Sequence, residues 1–316
     1  MHTILKIFIN VVVFNQKMLD ALIQNSVPLT ISIPFAVGFI ALLIGSYTDF
    51  KTREVPDWIN LGLIGFGFGI NLLFSAIYWK LNFIINSIIG FAALFAIAWV
   101  MFYTGQWGGG DSKILMGLGA LIGIDIFSKN FPFLASFLIN AMLIGALYGI
   151  LWSFYLIFKN RKKFLKAFKK NLGNKKTVKI KKIILAIFAI LVLIAILAPD
   201  KFLRLTFFYL SIISILTFYL WISIKAVEKS CMLKHVRPTE LTEGDWIAKE
   251  IKVDGKYVTG PKDLGIEKKQ IKKLIALYKK RKVNKILIKE GIPFVPSFFI
   301  AFIVTLAYGN LIFVIL

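Results

Sequence analysis

The sequence predicts an all-α polytopic membrane protein with about eight transmembrane helices and a small α+β domain before the last helix. Three observations favour this fold class. The 316 residues are 58% apolar and only 17% charged, and the mean hydropathy of +0.77 lies well outside the range of soluble domains. Apolar runs long enough to cross a bilayer recur along most of the chain. One polar stretch carries the apolar patterns of a small folded domain.

Composition and charge divide the chain into six segments. In chain order these are an N-terminal segment (1–30), a core of five spans (31–158), a basic cytoplasmic loop (159–182), a transmembrane hairpin (183–225), a small cytoplasmic α+β domain (226–291) and a last span (292–316). The apolar run within 1–30 is too short to cross a bilayer, so an interfacial helix is favoured over a cleaved signal peptide.

The spans are placed by the apolar runs between charged or proline-containing boundaries. Their predicted limits are 31–48, 58–79, 83–103, 111–127, 132–158, 183–198, 202–224 and 297–316. Pro56 and Asp57 open the second span, and the Asp57 side chain is expected to cap its free amides.

The polar stretch 226–291 is predicted to be an α+β unit. Residues 246–253 and 256–258 flank an Asp254-Gly255 turn, which predicts a hairpin. Apolar residues from Ile266 to Tyr278 mark one face of a basic helix, and 285–289 resembles a short strand.

Charge predicts the orientation in the membrane. Of the 39 basic residues, 31 fall in segments that span parity places on one side, including 12 within 159–182, a stretch without acids. The positive-inside rule makes this the cytoplasmic side. The net charge of +23 therefore indicates topology and contact with anionic lipid. Nucleic-acid binding is not predicted, since no base-stacking motif accompanies the basic runs.

Cysteine and histidine usage bounds the chemistry. The single cysteine, Cys231, excludes an internal disulfide and a multi-cysteine zinc site. His2 and His235 are far apart in sequence and form no metal-ligand pattern. We therefore expect neither a metal nor another cofactor.

Two aspartates at the ends of predicted spans are the candidate catalytic residues. Asp111 follows three glycines (Gly108 to Gly110) and opens the fourth span, and Asp49 lies at the end of the first. Span parity places both at the cytoplasmic face. A carboxylate beside the apolar layer is costly unless it serves a function, so a paired role is favoured over a structural ion pair.

Three motifs resemble one known family, the type IV prepilin peptidases. The stretch Gly108-Gly-Gly-Asp-Ser-Lys113 is similar to the GxGD region of that family. Asp49 followed by Val55-Pro-Asp57 is similar to its first aspartate motif, and Gly291-Ile-Pro-Phe-Val-Pro-Ser-Phe298 is similar to the stretch that opens its last span. The match is closest to the archaeal branch, the preflagellin and prepilin peptidases.

The resemblance implies an aspartic endopeptidase that removes short basic leader peptides from pilin-like or archaellin precursors at the cytoplasmic membrane face. Asp49 and Asp111 would share a proton and activate a water molecule between them. The motifs do not assign the general base to either one. Bacterial relatives often carry paired cysteines and a methyltransferase function. This chain lacks the paired cysteines, so it is expected to be a peptidase alone.

Other residues near the aspartates are predicted to shape the site. Gly108 and Gly110 would let substrate approach Asp111, and Lys113 either orients Asp111 or extends to the membrane surface. The Ile-Pro-Phe motif either aims the last span or lines the cleft. Glu54 and Asp57, with a second group of acids at 240–245, would form an acidic entrance for a basic leader, although ordinary solvated acids are the favoured alternative.

Two other classes of function remain as alternatives. A presenilin-like intramembrane protease also uses a GxGD aspartate, but its second aspartate lies in the middle of a span, whereas Asp49 lies at a boundary. A transporter would show broken helices and repeated halves, and the sequence shows no convincing internal repeat.

Overall fold

The computed structural model describes residues 28–128, 130–253 and 255–315. The interfacial helix predicted in 1–30 lies almost wholly outside these residues. The chain forms two compact units. The first contains the described residues up to Gly149 together with those from Ile292 onwards, and the second contains Ile150–Gly291.

The structure is mainly helical. In chain order its α-helices are α1 (Leu29–Thr52), α2 (Asp57–Tyr78), α3 (Asn82–Tyr103), α4 (Gly109–Ile122), α5 (Phe133–Lys159), α6 (Arg161–Leu172), α7 (Lys175–Leu197), α8 (Lys201–Ser230), α9 (Lys268–Lys279), α10 (Val295–Tyr308) and α11 (Leu311–Ile315). A 3₁₀ turn covers Pro238–Glu240. The strands are β1 (Leu233–Val236), β2 (Trp246–Ile247), β3 (Ile251–Val253), β4 (Lys256–Thr259) and β5 (Ile286–Lys289).

Six of the described helices are long and apolar enough to cross a membrane: α1, α2, α3, α5, α7 and α8. They coincide with six of the eight predicted spans, so the polytopic fold class is confirmed. The other two predicted spans, the fourth and the eighth, form α4 and α10, which have 14 residues each.

The predicted ends of these two short spans are wrong. Helix α4 stops at Ile122 rather than 127, because Gly123 adopts a φ of +72° that ends the helix. Helix α10 begins at Val295 and ends before Gly309, whose φ of +69° separates it from α11.

The carbonyl end of α4 is satisfied by side chains of the neighbouring helices. The amide Nδ2 atom of Asn71 in α2 donates to the carbonyls of Ala120 and Leu121 at 3.2 and 3.0 Å. The hydroxyl of Ser87 in α3 donates to the Ala120 carbonyl as well. Terminal carbonyls of a helix that ends in apolar surroundings need such partners. A helix of 14 residues can therefore end inside the first unit.

The second unit contains the α7–α8 hairpin and the small domain. Residues 159–182, predicted as a loop, are helical over most of their length: α6 occupies 161–172, and α7 begins at Lys175. Charge density alone suggested a loop, but Phe164 and Phe168 lie four residues apart, as on one face of a helix. Phe164 is buried with Ala226 and Val227 of α8, and this packing stabilises α6.

The small domain has the predicted α+β composition but a different strand pairing. Strands β1 and β2 both pair antiparallel with β5, and β3 pairs with β4. The predicted hairpin is thus confirmed only for its inner part, β3 and β4. Its outer part, Trp246–Ile247, pairs with Ile288 and Lys289 instead. The predicted helix and last strand correspond to α9 and β5.

Candidate active site

Asp49 lies in the last turn of α1, and its side chain is 6% exposed. The helix ends three residues later at Thr52, and the next residue, Arg53, adopts the left-handed conformation and donates its N–H to the Asp49 carbonyl at 2.9 Å. The positive charge of Arg53 is close enough to act on the Asp49 carboxylate. A carboxylate at the C-terminal end of a helix faces the negative end of the helix dipole, so Asp49 needs such compensation.

The N-terminus of α10 supplies further compensation. The backbone N–H of Val295, the first residue of α10, donates to Asp49 Oδ2 at 3.0 Å. The first amides of a helix have no partner within the helix and carry partial positive charge, so they bind a carboxylate well. The Gly291–Phe298 motif therefore does more than aim the last helix. It contributes a hydrogen-bond donor to Asp49.

Asp111 is held by a local interaction within its own helix end. It is the third residue of α4, and its Oδ2 atom accepts the backbone N–H of Gly108 at 2.9 Å. This is the reciprocal arrangement of a capping box, although glycine has no side chain to return the bond. The GxGD sequence thus fixes the direction of the Asp111 side chain relative to α4.

The packing of α1 against α4 brings the two aspartates near each other, one turn from the contact between Gly45 and Ile114. Helix α1 approaches α4 closely at Gly45, where a Cβ atom would lie 2.9 Å from the Ile114 side chain. Each carboxylate has its Oδ2 atom bound by a backbone amide. The backbone amide of Phe294, next to Val295, also acts on the Asp49 carboxylate. A pair of oriented carboxylates can hold a water molecule and share a proton.

An aromatic cluster fixes the residues around the aspartates. Trp107, just before the glycines, is 4% exposed and packs edge-on against Phe298 with ring centroids 5.3 Å apart. Phe294 packs against Trp107 and Phe298 at 6.0 and 5.2 Å. Gly145 of α5 lies directly against this cluster, since a Cβ atom at this position would be only 2.5 Å from the Phe294 ring. These contacts connect the loop before α4 with the beginning of α10.

Gly110 faces the protein rather than an open cleft. A Cβ atom at this position would lie 3.2 Å from Val55 Cβ and 3.3 Å from the Val55 backbone nitrogen. At Gly108 the nearest atom would be the Asp111 carboxylate at 3.3 Å. The prediction that Gly110 admits substrate is therefore not supported by its contacts. The glycine allows α4 to pack against the connection between α1 and α2.

Asp57 and Lys113 form an ion pair across the two motifs. Lys113 Nζ lies 2.6 Å from Asp57 Oδ1, and both side chains are partly exposed. Asp57 was predicted to cap α2, but Pro56 occupies the cap position and no side-chain cap bond forms. That prediction is wrong, because Asp57 is already the first helical residue. Of the two roles considered for Lys113, the structure shows neither; it shows pairing with Asp57.

The acids considered for an entrance are in both units. Glu54 is half-buried in the α1–α2 connection. In the second unit, Glu240 pairs with Arg237 at 2.8 Å and Glu243 with Lys268 at 2.9 Å. The backbone N–H and side chain of Arg237 lower the pKa of Glu240, and burial raises the pKa of Asp245. Local partners thus already compensate Glu240 and Glu243, and the acidic entrance stays a prediction.

Sequence reasoning identified both aspartates and the Gly291–Phe298 motif but missed three contributors. Val295 acts through its backbone amide, which no side-chain pattern can indicate. Arg53 could have been noticed, since it lies four residues after Asp49 and three residues before Pro56. Trp107 directly precedes the glycines, and a tryptophan in a polar loop could have been interpreted as a buried residue that holds the loop in place. Within the described part of the chain, no cluster of three or more metal-ligating side chains is present.

Comparison with known proteins identifies a family that part of the chain matches. Residues 36–150, which include both aspartates, match the type IV leader peptidase family. The resemblance predicted from the three motifs is thereby confirmed, and the Gly291–Phe298 motif lies outside the matched stretch.

Individual relatives are archaeal. The chain is 44% identical over 90 residues to a preflagellin peptidase of Methanocaldococcus jannaschii, covering 28% of this chain and 38% of that protein. It is 32% identical over 136 residues to a preflagellin peptidase of Methanococcus maripaludis, covering 40% and 59%. A prepilin peptidase, EppA, of Methanothermobacter thermautotrophicus is 23% identical over 157 residues, covering 45% and 40%. The chain thus spans between 38% and 59% of the length of these relatives.

Proposed function

We propose that this protein is a membrane-embedded aspartic endopeptidase of the GxGD type. Its substrates would be pilin-like or archaellin precursors, from which it removes short basic leader peptides at the cytoplasmic membrane face. The observation that carries the proposal is the proximity of two aspartates, Asp49 and Asp111, whose Oδ2 atoms each accept a backbone N–H. The names of the archaeal relatives supply the substrate class.

The arrangement suits hydrolysis by a shared-proton pair. One carboxylate takes a proton from a water molecule, and the resulting hydroxide attacks the carbonyl carbon of the scissile bond. The other aspartate, protonated, donates its proton to the carbonyl oxygen. When the tetrahedral intermediate collapses, the C–N bond breaks and the leaving nitrogen takes up a proton from the pair. The coupled titration belongs to the pair, so neither role is assigned to one residue.

The location of the pair supports the peptidase over an intramembrane protease of the presenilin type. Asp49 lies three residues before the end of α1, and Asp111 lies in the first turn of α4. Both are therefore near the membrane boundary, where a leader outside the bilayer can enter. An intramembrane protease of the presenilin type would need its first aspartate in the middle of a span.

The charge distribution supports a cytoplasmic position of the site. The segments on the side of Asp49 and Asp111 hold 31 of the 39 basic residues. Basic residues are retained on the cytoplasmic side of a membrane during insertion. A cytoplasmic site would process precursors before they leave the membrane.

Substitution of each aspartate tests the proposal. The full chain is co-expressed with an archaeal archaellin or pilin precursor, and cleavage is followed as a leader-length mass shift. Asp49→Asn and Asp111→Asn are each expected to reduce cleavage by about a thousand-fold or more, since each removes a proton-transfer group. Asp125→Asn is the matched control, because this exposed aspartate follows the opposite end of α4. Wild-type cleavage by either dyad variant would remove that residue from the mechanism.

A further inference from the structure

The strongest feature that the proposed peptidase does not use is the basic surface around α6. Residues 159–182 contain 12 lysines and arginines and no acid, so these charges are not neutralised within the segment. Six of the basic side chains belong to the 12-residue helix α6, and all six are exposed.

Helix α6 keeps its basic face outward because its apolar face is occupied. Phe164 is buried against Ala226 and Val227 of α8, and the Phe164 and Phe168 rings lie 5.4 Å apart. Phe164 and Phe168 are thus engaged with protein, whereas Leu165 is exposed. Because the exposed face of α6 carries six basic side chains, charge dominates the recognition of a partner there.

The chain connections place α6 at a membrane surface. Only Asn160 separates α6 from the end of α5, and only Gly173 and Asn174 separate it from the beginning of α7. Helices α5 and α7 are both long and apolar enough to cross a bilayer. A helix tied so closely to two spans cannot extend far from the headgroup layer.

Aromatic side chains near the ends of α5 and α8 indicate the depth of the membrane–water interface. Near the end of α5, Trp152 packs against Tyr155 with ring centroids 5.4 Å apart, and Lys159 Nζ lies 5.6 Å from the Tyr155 ring centre. Near the end of α8, Lys225 Nζ lies 4.6 Å above the Trp221 ring. Tryptophan and tyrosine concentrate at membrane–water interfaces. Lysines beyond them lie where lipid phosphates are found.

We propose that α6 and the first two turns of α7 form a binding surface for the phosphate headgroups of anionic phospholipids. A lysine or arginine near an anionic surface contributes to binding through the headgroup charge and not through the acyl chains. The site would therefore select lipids by headgroup charge. The interaction would weaken with salt, because electrostatic attraction at a surface is screened. The proposal is independent of peptidase activity.

The test compares five lysine substitutions in α6 with five elsewhere in the same unit. The α6 variant replaces Lys162, Lys163, Lys166, Lys169 and Lys170 with glutamine. The matched control replaces five exposed lysines of α9 and its C-terminal cap with glutamine: Lys269, Lys272, Lys273, Lys279 and Lys280. Both variants lose the same charge, so only the position of the charge differs.

Lipid binding is measured on full-length protein in mixed micelles with equal phosphatidylglycerol and phosphatidylcholine, by intact-complex mass spectrometry. The wild type and the α9 variant should bind phosphatidylglycerol in preference to phosphatidylcholine. In the α6 variant this preference should fall by about ten-fold. Raising the salt to about 1 M should reduce the wild-type preference as well.

A charge-retaining variant covers the case in which the α6 variant does not fold. The five α6 lysines replaced by arginine should keep the phosphatidylglycerol preference. The proposal is overturned if the α6 glutamine variant keeps the wild-type preference, if the α9 variant loses as much, or if the arginine variant folds without the preference.

Discussion

The backbone N–H of Val295 binds the Oδ2 atom of Asp49 at 3.0 Å, although the two residues are 246 positions apart. This hydrogen bond connects the end of the first span with the beginning of α10. It also places the positive end of one helix opposite a carboxylate at the negative end of another. The orientation of Asp49 therefore depends on a segment that enters the first unit only near the end of the chain.

Lengthening the Asp49 side chain is expected to abolish most activity while leaving the charge in place. In Asp49→Glu the carboxylate moves outward by one methylene, so it cannot both accept the Val295 N–H and face Asp111 as before. A displacement of about 1 Å at reacting groups costs about 100-fold in rate. The rate is measured from the time course of precursor cleavage.

Asp57→Glu is the control for the lengthened side chain, because Asp57 is partly exposed in an ion pair whose flexible partner can adjust. It should retain nearly full activity. If Asp49→Glu cleaved within a few-fold of wild type, the Val295 hydrogen bond would not be needed for catalysis.

Adding a methyl group at Gly110 is expected to destabilise the protein. The new Cβ atom in Gly110→Ala would lie 3.2 Å from Val55 Cβ, and such overpacking costs about 1 kcal/mol. The equivalent Gly109→Ala should be almost neutral, since its nearest neighbour would be the Phe102 ring at 3.8 Å. Thermal unfolding in detergent measures both variants.

The double variant Gly110→Ala with Val55→Ala separates packing from substrate access. Val55→Ala removes the Cγ2 contact at 3.4 Å and leaves the Cβ contact at 3.2 Å with more room to adjust, so it should recover part of the lost unfolding temperature. Loss of turnover by Gly110→Ala at unchanged stability would instead restore the interpretation that Gly110 admits substrate.

Lys113→Gln is expected to leave cleavage within a few-fold of wild type, because Lys113 pairs with Asp57 and not with Asp111. An exposed pair of this kind contributes about 0–1 kcal/mol to the free energy of unfolding. A double-mutant cycle with Asp57→Asn measures the coupling, which should fall with added salt. A drop in activity as large as that of Asp111→Asn would place Lys113 in the catalytic machinery.

Reversing two acids of the small domain is expected to have no selective effect on basic leaders. Glu240 already binds Arg237 and Glu243 binds Lys268, so neither charge is open to a substrate. Glu240→Lys with Glu243→Lys is assayed against matched precursors with and without the basic residue at the cleavage point. Selective loss of cleavage for the basic precursor would support the acidic entrance after all.

The sequence alone determined the membrane class, the positions of six long spans and both candidate aspartates. Apolar length and charge asymmetry are properties of composition and local order, so they can be counted in the chain. The placement of Asp49 and Asp111 at the same face was likewise predictable from span parity, because two crossings, α2 and α3, lie between them and an even number returns the chain to the same side.

The tertiary structure alone decided what holds these residues. The Val295 amide, the contact of Gly110 with Val55 and the pairing of Asp57 with Lys113 each join segments distant in sequence or depend on backbone atoms. Side-chain periodicity cannot report such contacts, since a backbone N–H is present at almost every residue. Only the packing of α1, α4 and α10 determines which of these amides faces a carboxylate.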